Sequence, residues 1–531
     1  MSVATRLERE WFFLRALVRT LWRVNSIAAA SPNLACDDLE RAVDRWRERP
    51  ALSFEGVGLT YGQMDALANR YAHWADDAGL RRGDVVALIM PNRLEYLPIW
   101  YGLSKVGVAT ALINNQLTGE ALAHCLVVSG ATHCLVDEET WPAFEAARIT
   151  HMRVQLYMRG FAAATGAKAE DRIFCALPLY HATGGICAVG AALLNGGTFV
   201  LARRFSASQF WDEVIATSST MFVYIGELCR YLVNQPPGEL DRQHAIRLVF
   251  GNGLRPDVWR KLRARFRIPE ILEFYGSTEG NVSMFNFDGR VGAIGRAPGY
   301  LRKRFNVRLI RFDVEKEEPI RAANGLCLEA RPGEVGECVG EIGLDARRNY
   351  TGYADTGATE KKVLRDVLKK GDAFFATGDL MRQDRDGYFY FVDRIGDTFR
   401  WKGENVSTTE VAERLSAVPG VHEATIYGVQ VGKLDGRAGM ASLVAGEDFD
   451  IKTLKDKLDA ELPDYAQPMF VRLQPEIETT GTFKYRKMDL VAEGFSPDRI
   501  RGPLFYRSPQ KGYVKLTKAA YDKIASGEVR L

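Results

Sequence analysis

The sequence has few cysteines and no pattern among them. Eight are scattered over 531 residues, at 36, 125, 134, 175, 187, 229, 327 and 338, and none forms a Cys-x-x-Cys pair. That excludes a disulfide framework and argues against a zinc ribbon; a reducing, cytoplasmic setting fits. A dominant charge is lacking too. The 70 Lys+Arg against 67 Asp+Glu leave +3, which is no field for holding nucleic acid. No internal repeat or low-complexity tract occurs. What remains, 47% hydrophobic and 26% charged residues, is the make-up of a globular protein long enough for several domains of roughly 150 residues.

The first 50 residues form a separate segment with one anomaly, WFFLRALVRTLWRV at 11–24. Arg15, Arg19 and Arg23 recur every four residues and make one stripe of a helix; Trp11, Leu14, Val18, Leu21 and Trp22 make another. The arginines interrupt the run too often for a membrane span, which needs about 20 apolar residues, or for a signal peptide. Two readings stand. The helix packs on the protein's own body with its arginines to solvent, or it lies peripherally on a membrane with Trp and Leu inserted and arginines on anionic lipid.

Beyond residue 50 strands and helices alternate. Residues 51–63 read as two short strands joined at Gly56–Gly58, followed by a helix over 64–79. Strands at 85–90, 109–114 and 134–137 are separated by helices at 95–106 and 119–129, and the rhythm returns at 174–177, 184–195, 198–201 and 207–217. This predicts an α/β fold with parallel sheets flanked by helices. Residues 306–345 suit antiparallel β-structure, 386–394 a hairpin arm, and a smaller α+β unit begins near 397 with helices at 408–417 and 451–462 around a strand at 421–429. The expected domains are therefore 51–395 and 396–531.

Four motifs carry chemistry. In Phe274-Tyr275-Gly276-Ser277-Thr278-Glu279-Gly280-Asn281 a ring offers a face for a purine, glycines admit a ligand to the backbone, and hydroxyl beside carboxylate can hold phosphate and Mg²⁺. Alone, it also has a plainer reading, a turn with a capping Thr. In Ala376-Thr377-Gly378-Asp379-Leu380 a carboxylate at a strand end can accept ribose hydroxyls, or simply cap its own turn. The third runs from Asp393-Arg394-Ile395-Gly396-Asp397 through Trp401-Lys402-Gly403-Glu404-Asn405-Val406-Ser407-Thr408-Thr409-Glu410, and the fourth is Thr480-Gly481-Thr482-Phe483-Lys484. A lysine on such a loop can swing into a site, although most lysines stay solvated.

In order and spacing these motifs resemble those of the adenylate-forming (acyl-activating) superfamily. The Asn after STEG and the VSTTEV ending resemble, more narrowly, its fatty acid transport protein and very-long-chain acyl-CoA synthetase branch. The likeness runs from Leu59-Thr60-Tyr61 through Pro178-Leu179-Tyr180-His181 and Phe250-Gly251-Asn252-Gly253-Leu254-Arg255-Pro256 to the C-terminus. It implies a fatty-acid:CoA ligase using ATP, Mg²⁺ and CoA through an acyl-adenylate. It further implies that Tyr275 and Gly276 receive adenine, Thr278 touches phosphate, Glu279 holds Mg²⁺, and Asp379 and Arg394 hold ribose. Lys484 would bridge carboxylate and α-phosphate, and His181 would lie near the acyl carboxylate. Gly396 would be the hinge of a mobile small domain that brings Gly403 to the thiol tunnel.

One signature is missing. A strand and a Thr/Ser/Gly-rich loop of the form T-S-G-T-T-G-x-x-K should precede PLYH and wrap the β- and γ-phosphates. Here Val136-Asp137-Glu138-Glu139 runs through Trp141 to Glu145, which stands where the lysine belongs, and on into Ala146-Ala147-Arg148. Several dozen residues are skipped, by an in-frame deletion or a faulty gene model. The competing expectations are a different adenylating enzyme, such as a carrier-loading domain or luciferase-like oxygenase, and a degenerate acyl- or lipid-binding protein aiding fatty-acid uptake. An acyl pocket is expected among apolar residues of 177–230 such as Ile186, Val189 and Tyr224. Acyl length and oligomeric state leave no mark in the sequence.

Overall fold

Short, largely apolar runs such as Thr198–Leu201 and Met221–Ile225 are buried along almost their whole length, as strands inside a parallel sheet must be. The computed structural model describes residues 3–28, 31–115, 120–137, 150–277, 280–314, 316–345, 347–350, 352, 356–402, 404–432, 434, 436–478, 487–508 and 511–529. The chain forms two units. The first takes in Met1–Val307, Gly340–Arg365 and Asp372–Phe375, and the second Arg308–Val339, Asp366–Gly371 and Ala376–Leu531. The β-rich stretch from 308 thus clusters with the tail, and the expected break at 395/396 falls inside the second unit.

The first unit is built on an eight-stranded sheet. Its order is Ser283–Asn286, Glu270–Gly276, Leu248–Asn252, Met221–Ile225, Arg172–Cys175, Thr198–Leu201, Pro50–Phe54, Val57–Thr60, with the two edge strands antiparallel and the interior pairs parallel. Pro50–Phe54 and Val57–Thr60 are the expected hairpin. Thr60 then starts helix Tyr61–Asp77 through a reciprocal cap: its hydroxyl accepts from the Gln63 amide at 3.1 Å, and the Gln63 side chain accepts from the Thr60 amide at 2.9 Å. A smaller parallel sheet runs Ala109–Leu112, Val85–Ile89, His133–Val136. His133–Val136 is one of its edges, and His133 and Cys134 are exposed there.

The helix expected at 184–195 is not uniform. It opens with a wider π-type turn, Thr183–Ala188, and only then continues as α-helix Val189–Leu193. The two adjacent glycines explain it. A Cβ on Gly185 would sit 1.9 Å from the Leu179 carbonyl oxygen, so the backbone itself makes the contact and the turn widens to accommodate it.

The N-terminal helix, Val3–Val24, packs its inner face on the body. Phe13, Ala16, Leu17, Thr20 and Val24 are buried, and the Phe13 ring meets Phe287 edge-on at 5.9 Å with the Arg296 guanidinium over it. The arginine stripe follows the own-body reading in part. Arg15 and Arg19 are exposed, although Arg19 also donates to the Ala164 carbonyl at 3.1 Å, and half-buried Arg23 donates to Asn195 Oδ1 at 2.8 Å. Beside them an apolar stripe is exposed: Trp11 is 71% exposed, Val18 63% and Trp22 79%.

Val335–Glu341 pairs antiparallel with Arg308–Ile310, and Ala373–Gln383 with Tyr388–Arg394. A separate five-stranded sheet runs Val421–Val429, Ala438–Ala445, Phe470–Leu473, Leu504–Ser508, Gly512–Lys515. Its apolar core is drawn from residues between Phe399 and Ile524. The whole is the expected α/β class: parallel sheets with helices, a β-rich part, and a smaller α+β part. The seven described cysteines are free thiols, and among the described residues no helix is long and apolar enough to cross a membrane.

Candidate active site

The first wall is raised by strand Glu270–Gly276 and its parallel neighbour Leu248–Asn252, in register with Glu273 opposite Gly251. Ligands of such sheets bind beyond the carboxyl ends of the strands. There the chain leaves the sheet through Tyr275, Gly276 and Ser277, and the loop that follows is tethered at both ends. The Tyr157 hydroxyl donates to the Ser277 carbonyl at 2.6 Å. The buried Arg153 guanidinium donates to the Gly280 carbonyl and, at 2.6 Å, to that of Asn349. Asn281 donates to the carbonyls of Glu341 and Arg348 at 2.9 and 3.0 Å, while Asn306 donates to the Asn281 carbonyl at 3.1 Å. Gly280 is required here: a Cβ would lie 2.1 Å from Ser277 Oγ and 2.8 Å from the Phe375 ring. Thr278 and Glu279, between these anchors, lie outside the described residues.

Glu273, which the sequence reading passed over, is buried beneath this wall. Its carboxyl accepts from the Tyr224 hydroxyl and from the Leu254 amide at 2.9 Å, tying the Gly251–Leu254 turn to the adjacent strand. Burial pushes it up to about 8 despite those hydrogen bonds, so it holds a proton near neutrality. Tyr224 is therefore a structural partner, and Ile186 and Val189 are equally buried in the core; none of the three lines a described cavity.

The cavity instead opens beside Tyr275, Gly276 and Ser277. Its volume is about 310 Å³, and its walls come from the N-terminal helix, helix His151–Ala164, the 274–287 hairpin and residues Ala182, Thr183 and Cys187. His181, half-buried with its ring 4.4 Å from that of Tyr180, directly precedes this last wall. Among the described residues, Asn252 Oδ1 and Ser277 Oγ are buried polar atoms with no hydrogen-bond partner. Unsatisfied groups at the ends of adjacent strands are what a purine nucleotide would engage, so the residues present fit one.

In the second unit, Asp379 and Arg394 stand directly opposite each other on paired strands, Arg394 Nε lying 3.7 Å from Asp379 Oδ1. The pair expected to hold ribose is thus brought together. The turn before it is braced by the Thr377 hydroxyl, which donates to the Cys338 carbonyl at 2.8 Å and accepts from the Asp379 amide at 3.1 Å. The neighbouring motif residues have structural duties. Asp393, raised by burial, accepts from the Thr408 amide and hydroxyl. Ser407 caps helix Thr408–Ser416, and Lys487 reaches Asp397 at 2.9 Å. Gly396 is not in the left-handed region and a Cβ there meets nothing within 4 Å, so the present conformation does not itself demand glycine. Gly403 and Lys484 lie outside the described residues. Among the described residues no cluster of three or more His, Cys, Asp or Glu forms a metal site.

Tyr157 and Arg153 were not legible as site residues. Both clamp backbone carbonyls, which leave no partner signature in sequence; their only trace is the i, i+4 spacing that puts them on one face of helix His151–Ala164.

This architecture is that of adenylate-forming enzymes. The fold matches ATP-bound MatB from Rhodopseudomonas palustris with a TM-score of 0.72 at 20% identity, over 86% of this chain and 98% of that one. It matches AMP-bound O-succinylbenzoate CoA synthetase (MenE) from Bacillus subtilis with 0.69 at 21%, over 85% and 97%. A fatty acyl CoA synthetase of Mycobacterium tuberculosis follows with 0.58 at 22%, over 87% and 98%. The family model of AMP-binding enzymes matches residues 39–157 and 146–337, and that of their C-terminal domain residues 410–484. The chain is 37% identical to long-chain fatty acid transport protein 6 of Mus musculus, over 93% of this chain and 91% of the relative. It is 36% identical to long-chain fatty acid transport protein 1 of Homo sapiens, over 100% and 93%. The chain therefore belongs to the AMP-binding enzymes and, within them, to the long-chain fatty acid transport protein family.

Proposed function

We propose that the protein has the build of an AMP-forming fatty-acid:CoA ligase acting on long or very-long-chain fatty acids, with adenylation from ATP crippled by the lost phosphate loop. The observation that carries this reading is the tethered 277–281 loop. Its described ends, Ser277 on one side and Gly280 and Asn281 on the other, are held by Tyr157, Arg153, Asn281 and Asn306 before any ligand arrives, and a catalytic cradle needs such anchors. Tyr275 and Gly276 receive the adenine, Thr278 the nucleotide phosphate, and Asp379 with Arg394 the ribose. His181 lies by the acyl carboxylate, and Lys484 places positive charge where the carboxylate meets the α-phosphate. Mg²⁺, when held by Glu279, neutralises charge on the departing pyrophosphate. Gly396 is the hinge between a large domain at 51–395 and a small one at 396–531 with its own apolar core, and Gly403 moves with the small domain to the CoA thiol.

Two observations support the loss of the loop. The family model matches in two pieces that meet at 146–157, beside the place where the loop belongs. The alignment to the human relative spans 604 positions while taking in this whole chain of 531. The test is fatty-acid-dependent CoA thioester formation from ATP across chain lengths, run beside a version with the strand and loop restored. Restoration should raise the rate by about a thousandfold or more. No thioester from either version would reject the ligase reading. The same missing loop favours a second reading, a non-catalytic fatty-acid-binding or uptake protein. ATP–pyrophosphate exchange separates the two, since a binding protein gives none even when restored.

The apolar outer stripe of the N-terminal helix supports a location on the membrane surface. Trp11→Glu with Trp22→Glu, both at exposed positions, should lower co-sedimentation with phosphatidylcholine/phosphatidylserine vesicles about tenfold. Equal pelleting of the variant would remove the helix from that role.

A further inference from the structure

Residues on the two sides of Gly396 are hydrogen-bonded to each other. Before the glycine, strand Tyr388–Arg394 ends in Val392, Asp393 and Arg394. After it, the chain turns through Asp397, pairs Phe399–Trp401 with Glu404–Val406, and comes back at Ser407 and Thr408. Ser407 Oγ donates to the Val392 carbonyl at 2.9 Å. The amide and the hydroxyl of Thr408 both donate to the Asp393 carboxylate, the hydroxyl at 3.0 Å. Asp393 and Thr408 are each only 2% exposed. The Arg394 amide also donates to Asp393 Oδ1, at 3.0 Å, so the cluster lies one residue from the side chain proposed to hold ribose.

A third element closes the cluster. Lys487 opens helix Lys487–Glu493 and follows Lys484 by three residues. It donates to Asp397 Oδ2 at 2.9 Å and to the Thr408 hydroxyl at 3.0 Å. An ammonium can only donate, so the Thr408 oxygen accepts from it and the single hydroxyl hydrogen is left for Asp393. Lys487 thereby orients the group that bridges the glycine. Burial raises the Asp393 carboxyl, while Lys487 and Thr408 pull it down, so the carboxyl senses both partners.

Turning the chain after residue 396 against the strand pair that bears Asp379 and Arg394 breaks all three bonds and leaves two buried polar groups in need of partners. Gly396 has an ordinary φ and open space where a Cβ would stand, so what the missing Cβ permits is a backbone conformation other than this one.

We infer that Asp393, Thr408 and Lys487 form a latch that holds the small domain in one of its orientations about Gly396, and that Lys487 makes release of the latch depend on the position of the Lys484 loop. The inference rests on the ligase reading above and adds to it the residues that set the balance between orientations. They are positioning residues, acting through the hinge rather than on substrate.

Amide hydrogen exchange of the full chain, followed over residues 395–410 by mass spectrometry, tests this without turnover. The probe is palmitoyl-sulfamoyl-adenosine, a stable mimic of the acyl-adenylate, alone and with CoA. In wild type the exchange of this segment should differ at least about threefold between the two conditions, because only one of them keeps the latch closed. In Lys487→Met, and in the near-isosteric Thr408→Val, the difference should shrink to within about 1.5-fold, the segment exchanging fast in both conditions. Lys487→Arg, which keeps the charge, should restore it. Strand Ala438–Ala445 of the same lobe is the control and should exchange alike in every variant. Exchange there rising as much as over 395–410 would make the three residues ordinary packing and overturn the latch. Binding of the mimic, read by calorimetry, with no CoA-dependent change in wild type, or with the same change in both variants, overturns the latch and leaves the ligase reading standing. No binding of the mimic by wild type overturns both.

Discussion

Given a preformed palmitoyl-adenylate and CoA, the protein should make palmitoyl-CoA at a rate at least about a thousandfold above that from palmitate, ATP and CoA. The expectation follows from which contacts remain. On the proposed reading the loop that wraps the β- and γ-phosphates is lost between Asp137 and His151, and adenylation then loses several charge-assisted hydrogen bonds worth about 1.5–3 kcal/mol each. Three of them amount to about 5–9 kcal/mol, or three to six orders of magnitude in rate. An acyl-adenylate carries only the α-phosphate. In the proposed roles it needs only the Tyr275 wall and the Asp379–Arg394 pair, which the chain retains, and no pyrophosphate clamp. Product analysis in the presence and absence of ATP reads the split directly. Equal loss of both half-reactions in a folded sample would show that the damage reaches beyond the phosphates. Resequencing the locus is the complementary check: an intact TSGTTG-like codon run there would make the gap an artefact, and the full-length product should then use ATP normally.

The physical origin of what was legible is local. The hairpin at 50–60, the strand at 421–429 and the helix starting at Thr408 all rest on glycine turns, alternation and caps that neighbouring residues supply. Asp379 and Arg394 could be matched by motif, yet their register across paired strands is a property of the sheet. The contacts of Arg19 and Arg23 with the body were not legible, because their acceptors, Ala164 and Asn195, lie more than a hundred residues away. Residues 308–339 were expected in the large domain from sequence order, and the AMP-binding family model reaches residue 337, whereas by packing they cluster with the second unit. An acyl pocket was expected among apolar residues of 177–230: Ala182, Thr183 and Cys187 of that stretch line the cavity, whereas Ile186, Val189 and Tyr224 lie in the core, and composition cannot tell the two apart.

Glu273 supplies the second large effect, on stability against pH. In the folded protein its carboxyl is raised from 4.5 to about 8 by burial, so over that interval the folded state keeps a proton that the unfolded state has released. Folding then takes up a proton, and stability falls as pH rises. Below about 4.5 both states are protonated and the group costs nothing; by about pH 8 the accumulated loss approaches about 5 kcal/mol. Glu273→Gln keeps the shape and an acceptor for the Leu254 amide while removing the titration. In urea denaturation at several pH values across this window, wild type should lose stability steadily relative to the variant, with the difference greatest near pH 8 and vanishing toward pH 4.5. Because Glu273 ties the Gly251–Leu254 turn to the strand bearing Tyr275, AMP affinity in wild type should hold up to about pH 8 and weaken above it, as the carboxyl ionises in the folded state, whereas that of the variant should not. Parallel pH profiles for the two proteins would mean that Glu273 is already ionised in the folded state, and that the turn is held by a buried carboxylate rather than by a neutral acid.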